Sequence, residues 1–205
     1  METKTTARGR RVSVDGWLQP PWSPIPDPLI VGIPERIVHD GSVVLALDED
    51  AVRAAGRRLV VDEKVAAIAV SYLWSFVNDT HEKRTAEILR QQYPDIPVFV
   101  GSELHPVLRE YDRTTVACLN AICVGSVDGV AALERTLRAE GLRAPFLVLR
   151  ANGGSMTVDR ARREPLAIAD HGAAGTLTRP PLGPLRSLAP HRPMLLLIGR
   201  GHGCG

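Results

Sequence analysis

Val65-Ala66-Ala67-Ile68-Ala69-Val70-Ser71-Tyr72-Leu73-Trp74 is followed closely by Asn78-Asp79-Thr80-His81-Glu82. The first run is dense in Val, Ile and Ala and ends on aromatics, the pattern of a strand buried on both faces. The second reads as a helix start, with Asp79 and Glu82 at the spacing of a capping box. Ala86, Leu89 and Tyr93 then share one helical face, and Pro94 ends the helix. Pro97 to Gly101 reads as the next strand. A strand, a helix of this length and a second strand imply parallel pairing through a crossover helix.

The alternation extends both ways. Upstream, Ser42 to Leu47 is a short apolar run ahead of Asp48-Glu49-Asp50, an acidic helix start, with Val52, Ala55 and Leu59 at helical spacing. Downstream, a helical region beginning near His105 to Tyr111 runs, with a break, to Glu140, where Gly141 is placed to stop it. Pro145 to Arg150 reads as a third strand ending at Asn152-Gly153-Gly154, Thr157 as the cap of a short helix before Pro165, and Leu166 to Ala169 as strand-like. The class is α/β, with strands alternating with crossover helices.

Three segments divide the 205 residues. Residues 1–27 are polar and then dense in proline, which favours an extended connector. Residues 28–175 carry the α/β pattern. Residues 176–205 contain no Asp or Glu but keep Arg179, Arg186, Arg192 and Arg200. The expectation for this tail is a disordered basic segment or an out-of-frame end.

Net charge is +2 with 44% hydrophobic and 23% charged residues, so charge points to no nucleic-acid partner. No apolar run reaches the roughly 18–20 residues of a membrane helix. The first twenty residues lack an apolar signal core. A cytoplasmic location is therefore expected, with no membrane partner. The six histidines and three cysteines show no metal-ligand spacing.

Residues of chemical interest are few. Asn152-Gly153-Gly154 reads as a turn at the carboxyl end of a central strand, where α/β sheets bind ligands and glycine admits close backbone approach to an anion. The same tripeptide also makes an ordinary tight turn. Gly172-Ala173-Ala174-Gly175 is a second small-residue loop but lacks the Lys and Ser/Thr of a P-loop. Glu103, Arg109 and Arg113 belong to a charged stretch that reads either as a substrate-facing set or as a solvated first helical turn.

Taken in order, Gly32-Ile33-Pro34-Glu35-Arg36, Leu47-Asp48-Glu49, Ser75-Phe76-Val77-Asn78 with His81-Glu82, and Ser102-Glu103 with Pro106 form a series. Arg109-Glu110-Tyr111 with Arg113-Thr114, Asn120-Ala121, Asn152-Gly153-Gly154 with Met156, and Gly172 to Gly175 continue it. The series resembles the hydantoinase A/5-oxoprolinase family over about residues 28–175. The resemblance implies a partial, incomplete actin/hexokinase-like ATPase architecture, the cofactors ATP and Mg²⁺, and a hydantoinase B-type second subunit. It also implies opening of cyclic amides such as 5-oxoproline or hydantoins, with acetone- or acetophenone-type carboxylase subunits as relatives. Asn152, Gly153, Gly154, Glu103, Arg109, Arg113 and Gly172 become the implied lining of the substrate or nucleotide site, with no catalytic residue or metal ligand assigned.

The chain departs from the family at the phosphate loops. The Asp with Gly-Gly-Thr near the family's chain start is absent, and so is the second such loop expected soon after Gly175. His171-Gly172-Ala173-Ala174 stands where the family has Ser-Gly-Pro-Ala. The expectation is an internal fragment of an ATP-dependent cyclic-amide hydrolase that is inactive alone. The alternatives are the ATP-using subunit of a ketone carboxylase and a non-catalytic interaction module.

Overall fold

The computed structural model describes residues 25–151, 153–169 and 195–200, the last by backbone alone. After a helical turn at Asp27–Leu29, strand β1 spans Ile30–Pro34. Strands β2 (Arg36–Ile37) and β3 (Val43–Leu45) make an antiparallel hairpin. Its turn is closed by the Asp40 carboxylate, which accepts from the Ser42 amide at 2.9 Å and hydroxyl at 2.7 Å.

Helix α1 (Glu49–Arg57) begins where the acidic run predicts, with the Asp48 carboxylate accepting from the Ala51 amide. The chain continues through a π-helical turn, Arg58–Asp62, into strand β4 (Ile68–Ser71). Helix α2 (Thr80–Gln92), strand β5 (Val98–Val100) and the short helix α3 (Gly101–Leu104) follow. Helices α4 (Glu110–Ile122) and α5 (Val124–Ala139) meet at a 46° bend around Cys123. Gly141, at φ +97°, closes α5: its amide donates to Arg138 O and the Leu142 amide to Leu137 O, the paired bonds of a Schellman stop.

Strands β6 (Val148–Leu149) and β7 (Ser155–Met156) then form a second hairpin, followed by helices α6 (Val158–Arg163) and α7 (Leu166–Ala169). The Thr157 hydroxyl accepts from the Arg160 amide, so the expected cap of α6 is present. Strand β8 (Leu195–Arg200) completes the described chain. Among these helices no single one is long and apolar enough to cross a membrane.

The main sheet is parallel, in the order β1-β8-β4-β5. The parallel α/β reading thus holds for β4 and β5, and β4 is buried along its whole length. Within the expected disordered tail, residues 195–200 are described as a strand between β1 and β4; the other residues of 176–205 lie outside the described residues.

Two strand readings are corrected. Pro145 to Arg150 does not join the sheet: only Val148–Leu149 is extended, and it pairs with β7. Leu166 to Ala169 is helical, because Pro165 fixes φ and its carbonyl accepts from the Ile168 amide. A four-residue apolar run has no period by which to tell the two states apart.

Two apolar cores result. The larger gathers β1, α1, β4, α2, β5 and α4, and the smaller gathers Val127, Ala131, Val148, Met156, Val158, Ala161 and Ile168. Asn120 joins them: it is buried on α4, and its Oδ1 accepts from the Leu166 amide at 3.0 Å.

In the larger core α1 and α2 cross at Gly56, where a Cβ would lie 2.8 Å from Leu89 Cδ2 and 3.0 Å from Tyr93 Cε2. Gly56→Ala gains about 1 kcal/mol of helix propensity. Overpacking against the fully buried Leu89 costs about 1–3 kcal/mol. The expected net effect is a loss of about 1 kcal/mol in urea denaturation; a gain would show that α1 and α2 separate freely.

Candidate functional site at the strand ends

The carboxyl ends of β1, β4 and β5 are where a parallel sheet places a ligand site. Three buried charged residues organise them. Glu35, directly after β1, is 1% exposed, and its Oε2 lies 2.9 Å from His81 Nδ1 in the first turn of α2. Burial raises the Glu35 pKa, while the His81 hydrogen bond and charge and the nearby Arg36 hold it back.

Glu82 is fully buried and bridges two strand ends. One carboxylate oxygen accepts from the Tyr72 amide at 2.7 Å and the other from the Ser102 amide at 2.9 Å. This corrects the capping-box reading. Glu82 turns inward to β4 and α3, and Asp79 makes no side-chain cap bond and pairs with Lys83 at 2.7 Å. Asn78 serves the helix start instead, its Oδ1 accepting from the Thr80 amide and hydroxyl, while its Nδ2 donates to Gly41 O in the first hairpin.

Arg113, in the second turn of α4, is also fully buried. Its Nη1 donates to Val107 O at 2.8 Å and its Nη2 to Tyr72 O at 3.1 Å, and the guanidinium stands 5.2 Å from the Phe76 ring centroid. Burial pulls its pKa down. Beside it, Ser71 Oγ meets Thr114 Oγ1 at 2.6 Å and the Tyr72 hydroxyl meets Thr85 Oγ1 at 2.9 Å. The loop from β4 to α2 is held in a demanding conformation, with Trp74 at φ +60°.

The expected site residues fall in different places. Arg113 is enclosed and spends its guanidinium on backbone carbonyls. Glu103 is exposed on α3 and pairs with Arg90 at 3.1 Å. Arg109 is exposed ahead of α4, with φ +84°. Gly153 and Gly154, at φ +89° and +80°, form the turn of the β6–β7 hairpin in the smaller core, with open space around both. They share no hydrogen bond or ion pair with the strand-end residues among those described. Asn152 and Gly172 lie outside the described residues.

The inward carboxylate of Glu82 was readable. It stands four residues before Ala86 and seven before Leu89, on the stripe that faces the core. A charged residue on a buried stripe needs polar partners inside the protein.

The described residues do not fit a nucleoside triphosphate with its metal. Among them no group of three His, Cys, Asp or Glu residues is placed to hold a cation. Glu35 and Glu82 are buried and already engaged. The unpartnered Ser75 Oγ, Ser102 Oγ and Arg113 Nε are sealed from the surface. What the strand ends supply is a rigid frame.

Fold and strand ends together define a class, a parallel α/β unit shared with two solved enzymes. One is acetone carboxylase, an enzyme of ATP-dependent acetone carboxylation, in its nucleotide-free structure (TM-score 0.59, 26% identity, 71% of this chain and 21% of that one). The other is the ATP-dependent caprolactamase of Pseudomonas jessenii (TM-score 0.54, 34% identity, 62% of this chain and 18% of that one). Residues 22–93 match the hydantoinase/oxoprolinase N-terminal region.

Curated relatives agree. The chain is 40% identical to the acetophenone carboxylase gamma subunit of Aromatoleum aromaticum over 136 residues, 63% of this chain and 18% of the relative. It is 35% identical to caprolactamase subunit alpha of Pseudomonas jessenii over 121 residues, 58% of this chain and 17% of the relative. The chain thus spans about a fifth of the length of the curated relatives it matches.

Glu35 offers a test of the frame. A carboxyl whose folded pKa lies above its unfolded value contributes stability that is present below the unfolded pKa and lost as pH rises through the folded one. Glu35→Gln is therefore expected to be at least as stable as the parent at pH 7–8, its advantage shrinking toward pH 4. Thermal melts across that range check it, and a variant weakest at pH 8 would show that the His81 bond outweighs burial.

Proposed function

We propose that the chain is the structural frame of the active-site region in an ATP-dependent enzyme of hydantoinase/oxoprolinase type, one that opens a cyclic amide. The observation that carries this reading is the placing of the motif residues Glu35, His81, Glu82, Ser102 and Arg113 at the carboxyl ends of β1, β4 and β5, three strands of one parallel sheet. The match to a lactam-opening enzyme supports the substrate class. On this reading the frame belongs to an actin/hexokinase-like ATPase, and the phosphate loops and metal ligands come from elements other than those described. Members of the class that work as subunits would pair it with a hydantoinase B-type partner. A second reading, the ATP-using subunit of a ketone carboxylase, is favoured by the 40% identity to the acetophenone carboxylase subunit.

Two measurements test this. Calorimetric titration of the folded 205-residue chain with Mg-ATP is expected to give no binding; micromolar binding would overturn the frame reading. For the reaction, residues 25–169 replace the matching stretch in caprolactamase subunit alpha and, separately, in the acetophenone carboxylase gamma subunit. Lactam-dependent ATP hydrolysis retained only in the first chimera supports the cyclic-amide reading. Ketone-dependent ATP hydrolysis retained only in the second transfers the proposal to the carboxylase.

A further inference from the structure

Strand β3 has none of the devices that normally blunt an open strand edge, since no charged residue or proline occurs from Gly41 to Leu47. Its three residues are apolar and open on both faces, Val43 being 49% exposed, Val44 69% and Leu45 42%. Val77 extends this surface. It is exposed, and its Cγ1 lies 3.1 Å from where a Cβ on Gly41 would stand. An apolar patch this open marks a contact surface.

The hairpin ladder sets which backbone groups face out. The Val38 amide donates to Ser42 O at 3.1 Å, so Ser42 is turned toward β2. Successive residues of a strand aim their backbone groups to opposite sides, so Val43, opposite Ile37, turns its N–H and C=O away from β2. A residue so placed is open to the paired bonds of one further antiparallel strand.

Charge frames the strand. Asp40 stands three residues before it and Asp48 three after, with Asp50 beyond, and all three are exposed. None has an ion pair among the described residues. Asp40 and Asp48 use only Oδ1 for the turn and the helix cap. Arg53 of α1 and Arg84 of α2 are spent on Glu49, which leaves half-buried Arg36 on β2 against the three carboxylates.

We propose that β3 takes an extended segment of a partner protein, apolar at its centre and basic at both ends, which adds a third strand to the hairpin. A residue of that segment exchanges both backbone bonds with Val43, and its basic ends meet Asp40 on one side and Asp48 with Asp50 on the other. Strand addition draws affinity from main-chain bonds and selectivity from the flanking side chains. A second copy of this chain suits the edge poorly. Antiparallel pairing about Val44, the middle of the strand, sets Asp40 of one copy opposite Asp48 of the other, and like charges so placed repel. The inference stands apart from the reaction proposed above.

The test uses fluorescence anisotropy of the whole chain with a fluorescein-labelled peptide of alternating Val and Thr that carries two lysines at each end, beside a control ending in glutamates. Binding of the lysine-ended peptide alone is expected, weakened by added salt. Val44→Lys, at a side chain in solvent, is expected to keep the far-UV spectrum and weaken binding at least about tenfold. Hydrogen exchange on the parent is expected to slow at the Val43 amide when the peptide is added. No binding, equal binding of both peptides, binding indifferent to Val44→Lys, or binding without protection of Val43 would overturn the proposal. So would a dimer in analytical sedimentation that Val44→Lys dissolves, which would make the occupant a second copy.

Discussion

Glu82→Ala is expected to cost the folded state roughly 3–5 kcal/mol, the largest loss of any single substitution in the strand-end frame. The carboxylate is fully buried and holds the Tyr72 amide at 2.7 Å and the Ser102 amide at 2.9 Å. Removing it leaves two buried N–H donors without acceptors, each costing about 1–3 kcal/mol, and a cavity besides. It also uncouples the end of β4 from the start of α3. With total stabilities of about 5–15 kcal/mol typical of natural domains, such a loss is a large fraction of the whole. Glu82→Gln keeps one acceptor oxygen and should fall between parent and Ala. Urea denaturation with tryptophan fluorescence gives both values, and a Glu82→Ala variant within 1 kcal/mol of the parent would remove Glu82 from the frame.

Arg113→Ala is the second large effect, an expected loss of about 2–4 kcal/mol. The side chain fills buried volume, satisfies Val107 O and Tyr72 O, and lies over Phe76. Arg113→Lys should recover less than half of the loss, because one ammonium does not reproduce a planar fork that spans two carbonyls and stacks on a ring. The same pair separates two roles. If Arg113 were a substrate-facing cation, both variants would fold as stably as the parent; stability lost in the order Ala, Lys, parent marks it as part of the frame.

Motif order carried the family further than any one residue carried chemistry. The buried strand at Ile68–Ser71, the acidic start of α1, the stop of α5 at Gly141 and the cap of α6 at Thr157 all follow from local rules, and all were legible. Those rules act over one turn or one strand, where periodicity and capping chemistry dominate. Glu103, Arg109 and Arg113 looked alike as a charged stretch because spacing alone does not tell which of three residues near a helix start turns inward. The structure separates them, with Arg113 enclosed and the other two in solvent. Cys118 lies in the larger core, and burial pushes its thiol pKa up to about 12.

Local composition settled that residues 65–101 form a strand, a helix and a second strand in parallel, because burial on both faces and helical amphipathy leave separate marks on the chain. It did not settle neighbours. The Pro145 to Arg150 run carries the apolar signature of a sheet strand, yet pairs in its own hairpin, while Leu195–Arg200 lies between β1 and β4. Hydrophobic period reports how much of a segment is buried, but partner and register are fixed by which distant surfaces the whole chain brings together. For the same reason Glu35 and His81, 46 residues apart, and Glu82 with Ser102 became one network only in the tertiary structure.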